Sequence, residues 1–126
     1  MIDISFLNVG QGDSSLIKLP NGTNMLIDCK LNEGLLTWFE NQLPIDDDEN
    51  RILDYLVITH PHEDHIKGIG DLGNRIKINN IWESGHRLYI ESKDKDKYPY
   101  YYEMLDLIPY SKSKEEWWRT SATQSV

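Results

Sequence analysis

Cysteine is nearly absent from this 126-residue sequence: Cys29 stands alone, so no disulfide can form within the chain. A solitary thiol fits a reducing cytoplasm, and its place in an apolar strand segment marks it as buried and structural. No apolar run is long enough to span a bilayer, and Asp3 follows Met1 almost at once, so neither a membrane span nor a signal peptide is expected. Positive charge is also short. With 13 basic against 21 acidic side chains the net charge is −8, which excludes binding nucleic acid by electrostatics alone. Divalent ions at a site would reverse the charge locally, so a phosphate substrate is still compatible with this balance. No internal repeat is visible, and 126 residues suffice for one domain with a modest core.

Histidine is scarce as well, with four in the chain, yet three fall within six residues in Thr59-His60-Pro61-His62-Glu63-Asp64-His65. This stretch follows Ile52-Leu53-Asp54-Tyr55-Leu56-Val57-Ile58, whose length and β-branched content suit a buried strand. Pro61 pushes His60 towards an extended conformation, and in extended backbone residues i and i+2 point to the same side. His60 and His62 can therefore converge on one ion, while Asp64 and His65 reach a second position as the chain turns. Imidazole and carboxylate suit zinc, manganese or iron, and two such ions close together make a hydrolytic pair.

The remaining chain supplies a frame for this corner. Residues 2–7, 15–19 and 24–28 are expected to form a meander, with Pro20-Asn21-Gly22 as a hairpin turn and Gly10 and Gly12 giving a loop with positive φ. Asn32 can cap a helix running through residue 43, with Leu35, Leu36, Trp38, Phe39 and Leu43 on its packing face. Residues 66–75 are expected as a short helix, 76–82 as a strand, 91–97 as a charged loop without order, and 98–108 as an amphipathic helix burying Tyr101, Tyr102, Leu105 and Ile108. Acidic Asp46-Asp47-Asp48-Glu49 is a solvated loop, and residues 111–126 show no pattern beyond Trp117-Trp118. His86, after the 76–82 strand, is open to two readings: a ligand or substrate contact on the same rim, or a surface loop residue.

The motif His60-x-His62-x-Asp64-His65 resembles the metal-binding signature of the metallo-β-lactamase fold superfamily. Asn8-Val9-Gly10-Gln11-Gly12-Asp13-Ser14-Ser15 followed by Leu26-Ile27-Asp28 resembles the branch related to the DNA-uptake protein ComEC, and the likeness spans roughly residues 2–110. The resemblance implies an α/β fold of the α+β sandwich type, a mixed sheet with helices on one face that forms the N-terminal half of an αββα sandwich. It implies two divalent ions, zinc first and manganese second, held by His60, His62, Asp64 and His65, with Asp64 also catalytic and Asp28 behind the ligands ordering the loops. The family usually places glycine two residues after this aspartate; Lys30 stands there instead, so the local backbone is expected to differ. Asp13 is a weaker candidate for a similar role, with turn formation the simpler reading.

Such a site implies hydrolysis of phosphodiester, nucleic-acid or nucleotide substrates through a metal-bound hydroxide. The family's second half supplies a bridging aspartate and a late histidine, yet no histidine follows His86 here. The expectation is therefore a partial domain over residues 1–110 with a tail over 111–126, either truncated or completed by another chain. The alternative to an enzyme is a non-catalytic or incomplete subunit that needs a partner. Its strands carry apolar residues on both faces and one helix layer covers only one, which predicts a homo-oligomer or a second protein chain across the open face.

Overall fold

In the computed structural model, which describes residues 1–10 and 12–108, five strands form one sheet in chain order. They are β1 (Asp3–Phe6), β2 (Ser14–Lys18), β3 (Asn24–Cys29), β4 (Ile52–Ile58) and β5 (Lys77–Glu83). The first three pair antiparallel as the expected meander, and β4 and β5 add in parallel. Connections account for the change of direction. At the β2–β3 turn Gly22 takes φ +89° and donates its N–H to the Leu19 carbonyl at 3.0 Å, closing a hairpin. β3 reaches β4 through helix α1 (Glu33–Asn41), and β4 reaches β5 through α2 (Glu63–Ile66) and α3 (Ile69–Arg75). Parallel neighbours need such crossovers. A 3₁₀ helix over Ser92–Lys97 then leads into α4 (Pro99–Leu107). The result is the mixed sheet with helices of the expected α/β class.

The core lies between the helices and one sheet face, where Leu16, Leu26 and Leu56 pack with Phe39, Ile69, Leu72 and Met104. Register defines the other face. Ile4, Ile17, Met25 and Tyr55 align across β1 to β4, and Ile27, Val57 and Trp82 align across β3 to β5. None of these seven side chains belongs to the buried cluster, and Ile4 is 53% exposed. Phe6, at the end of the edge strand, is 81% exposed.

Several boundaries differ from the sequence reading. Helix α1 stops at Asn41, and Trp38 is 38% exposed rather than packed. At 100° per residue Leu35, Leu36, Phe39 and Leu43 cluster on one stripe while Trp38 lies off its edge. The helix after the motif starts earlier, at Glu63, and breaks at Gly68, whose φ is +107°. Glu63 and Asp64 suit a first helical turn, and Gly68 packs so closely on Leu31 backbone that a Cβ would clash with its carbonyl. Residues 91–97 are not an unordered loop: the 3₁₀ helix there is braced by Lys97–Asp94 at 3.0 Å, although it buries nothing. Helix α4 buries Tyr101 and Met104, with Tyr102 and Leu105 only partly covered. Residues 111–126, including Trp117 and Trp118, lie outside the described residues.

Candidate metal centre

The site begins with an irregularity in β3. Ser14 pairs with Cys29 while Ser15 pairs with Ile27, so Asp28 is the extra residue of a bulge, and its φ is +57°. A non-glycine residue in that region stores about 1–3 kcal/mol of strain and persists only where its surroundings hold it. Here they do. The Ser14 hydroxyl donates to the Asp28 carbonyl at 3.0 Å, and the Asp28 side chain, almost wholly buried, accepts three hydrogen bonds. These come from Thr59 N–H at 2.8 Å, the Thr59 hydroxyl at 2.5 Å and His65 Nδ1 at 2.8 Å.

That network assigns the ring protons. His65 gives its Nδ1 proton to Asp28. Thr59 has one hydroxyl proton and gives it to the same carboxylate, so its oxygen accepts from His60 Nδ1 at 3.1 Å. In their neutral form both rings thereby keep the Nε2 lone pair, the form in which imidazole ligates a metal.

β4 delivers Thr59 and His60 to the edge of the sheet, Pro61 is buried, and His62 caps α2 with extended backbone. Asp64 and His65 ride on α2 itself. The ring centroids of His60 and His62 are 6.1 Å apart and those of His60 and His65 are 4.9 Å apart. Two imidazoles bound at the usual length to one tetrahedral ion would have centroids about 5 Å apart. Asp64 Oδ2 lies 3.6 Å from His65 Nε2. Donor type suits divalent ions and the His60–His65 spacing matches a shared ion, whereas His60 and His62, expected to share one, stand wider apart. Among the described residues no group of three or more such donors is placed to hold an ion.

The loop before β2 presses on the same corner. Gly12 has φ +124°, and a Cβ there would collide with the Asp64 carbonyl and with Lys30. The Asp13 N–H donates to that carbonyl at 3.1 Å, which leaves the exposed Asp13 carboxylate 3.7 Å from His65 Nδ1. Lys30, where the family usually has glycine, donates its N–H to the Asp13 carbonyl at 3.4 Å. Thr59 and the bulge were not singled out from sequence; the only local signal was a hydroxyl residue beside the first histidine. Cys29 takes no part: burial, reinforced by the Asp28 charge, pushes its thiol far above the ordinary range, leaving it unreactive.

His86, from the loop after β5, lines the same cleft of about 420 Å³ as Thr59, His60 and His62. The structure therefore brings His60, His62, Asp64, His65, Asp28 and Asp13 to one corner of the fold and sets His86 at its rim. A comparison with curated proteins found no match. The family model described as Metallo-beta-lactamase superfamily matches residues 7–121, nearly the whole chain. This chain belongs to the metallo-beta-lactamase superfamily.

Proposed function

We propose that the chain is a metal-dependent hydrolase acting on phosphodiesters, in nucleic acids or nucleotides, and that it falls in the branch related to ComEC. Membership of the superfamily supports metal-dependent hydrolysis, and the stretch from Asn8 to Ser15 with Leu26-Ile27-Asp28 supports the branch. One observation carries the reading: the buried Asp28 carboxylate holds His65 directly and His60 through Thr59, with both Nε2 atoms left free. His60, His62, Asp64 and His65 would hold a pair of divalent ions, zinc first and manganese second. Such ions supply charge neutralisation and an activated water. The protein's own part is to fix the imidazole tautomers and to offer Asp64, 3.6 Å from His65 Nε2, as the carboxylate that takes up a proton beside the ions.

Hydrolysis of bis(p-nitrophenyl) phosphate with added zinc or manganese tests this. His62→Ala should abolish turnover and leave circular dichroism and melting unchanged, because His62 is exposed at the sheet rim. If His62→Ala instead unfolds the chain, the metal serves folding and the enzymatic reading loses its support.

A second reading is favoured by two observations: among the described residues no three donors are gathered, and one sheet face carries half-buried apolar side chains that lie outside the core cluster. In it the chain is the N-terminal half of an αββα sandwich, an incomplete subunit by itself. A second sheet from another polypeptide covers the face of Ile17, Met25, Ile27, Val57 and Trp82, since sheets carrying such side chains pack face to face. Self-association in light scattering would identify that polypeptide as a second copy. A monodisperse monomer at micromolar concentration, with no binding of a dye for exposed apolar surface, would overturn the partner. Among the described residues no helix is long and apolar enough to cross a membrane. The buried lone thiol supports a cytoplasmic location.

A further inference from the structure

A second recess adjoins the cleft. Pro61, before α2, and Ile66, within it, supply one wall. Tyr98, Tyr100 and Tyr101, at the start of α4, supply another, and Leu88 joins them from the loop after β5. That loop is held in shape. Glu83, 7% exposed, accepts from both terminal nitrogens of Arg87, Nη1 to Oε2 at 2.7 Å and Nη2 to Oε1 at 3.1 Å. This bidentate clasp closes the loop on itself. One residue on, the Leu88 N–H donates to the Tyr101 hydroxyl at 3.2 Å and ties the loop to α4. Pro61, Ile66 and Tyr101 are buried, so packing keeps these walls in place. The recess has a volume of about 90 Å³, and His62 lines both it and the cleft of Thr59, His60 and His86. Two charged side chains also reach it, Glu63 and Lys97, of opposite sign. Each has a partner elsewhere: Glu63 lies 3.9 Å from Lys67 Nζ, and Lys97 Nζ lies 3.0 Å from Asp94. No uncompensated charge calls for an ion there, and the lining suits a neutral apolar group.

From this arrangement we propose that the recess is a substrate subsite, taking one neutral ring of a phosphoester whose phosphate lies in the cleft. The inference rests on the hydrolase reading above and deepens it by naming the substrate's organic group. Volume selects the ring. An apolar cavity of about 150 Å³ holds a whole benzene molecule. A recess of about 90 Å³ therefore takes a single ring edge first, with the remainder at the mouth, and has no room for a fused pair. Three tyrosines favour a ring over an alkyl group, because aromatic faces attract ring edges. Esters of phenyl or pyrimidine size are then preferred to methyl esters and to bicyclic ones.

The test measures calorimetrically the binding of methylphosphonate, phenylphosphonate and 1-naphthylphosphonate to the full chain in the presence of zinc. Phenylphosphonate should bind about tenfold more tightly than methylphosphonate, the low end of what one methylene is worth in a fitted hydrophobic pocket. It should also bind more tightly than the naphthyl compound. Tyr98→Ala, which removes part of a wall, and Leu88→Phe, which fills the recess, should each abolish the preference for phenyl over methyl. Tyr98 is 44% exposed, so Tyr98→Ala should melt like wild type. If phenylphosphonate binds no better than methylphosphonate, or if its preference survives in both variants, the recess is a packing gap and this inference alone falls. If wild type shows the preference and both variants lose it, yet no phosphodiester is hydrolysed, the hydrolase reading falls and the ring subsite stands.

Discussion

Replacing Asp28 by alanine tests the centre of the construction. The carboxylate is almost wholly buried and accepts three hydrogen bonds, two from Thr59 and one from His65. A hydrogen bond to a charged group contributes roughly 1.5–3 kcal/mol, but three sharing one acceptor are not additive. Removing the carboxylate also removes its own desolvation penalty. The net loss should be about 2–4 kcal/mol, the range in which buried donors left without partners dominate. Asp28→Gly should lose about 1 kcal/mol less than alanine, since the backbone φ of +57° strains any side chain but suits glycine. Asp28→Asn keeps the shape, yet its amide group cannot accept from His65 and Thr59 together. Zinc affinity should then fall about 10- to 100-fold, as when an outer-shell partner is lost. Urea unfolding followed by tryptophan fluorescence gives the stability difference, and zinc calorimetry gives the affinity. If Asp28→Ala unfolds at the wild-type urea concentration and binds zinc as tightly, the carboxylate does not hold the site and the tautomer argument fails.

Leu56→Ala, at a fully buried side chain of the strand beneath the site, should lose about 2–5 kcal/mol in the same urea assay. A loss under 1 kcal/mol would mean that the core beneath the site collapses around the gap. Elemental analysis of the isolated chain should find at most one ion per molecule surviving purification, because His60, His62, Asp64 and His65 split over two positions leave each short of protein donors and the pair weakly held. Two tightly held ions would require donors beyond those named here. Cys29 should stay unmodified by a thiol-specific reagent in the native protein and react only on unfolding, since burial and the Asp28 charge disfavour its thiolate; fast native reaction would show that β3 opens at its end.

Much of the fold was legible because its signals are local. Alternation marks β1, a continuous apolar run marks β4, Pro20-Asn21-Gly22 marks the hairpin between β2 and β3, and Asn32 caps α1 by accepting from Leu35 N–H at 2.9 Å. What failed was the end of each pattern. Trp38 reads as core by composition and is exposed by angle. The break at Gly68 was hidden because the clash that requires glycine comes from Leu31, far away in sequence. The charged run at 92–97 looked unordered because nothing in it is buried, yet ion pairs between neighbours are enough to give it a 3₁₀ turn.

The site divides in the same way. A sequence displays donors, so His60, His62, Asp64 and His65 stood out by spacing alone. It does not display which nitrogen of each ring is free, because that depends on acceptors elsewhere in the chain. Asp28 lies 31 residues from Thr59 and 37 from His65, and it meets both only because a bulge re-aims a side chain that a regular strand would have sent elsewhere. Gly12 works likewise: its missing Cβ lets one loop lie against the Asp64 carbonyl, bringing Asp13 to within 3.7 Å of His65. His86 is the extreme case. Its place after the 76–82 strand left it open to two readings, and only the pairing shows where that strand lies. Parallel pairing of β5 with β4 and the Glu83–Arg87 clasp set its ring 6.2 Å from that of His62. What stands at this corner is therefore a property of sheet topology as much as of the motif. A substitution that shifts the register of β5 by one residue should carry His86 away from His62 and expose the apolar side chains that β5 now turns to the core.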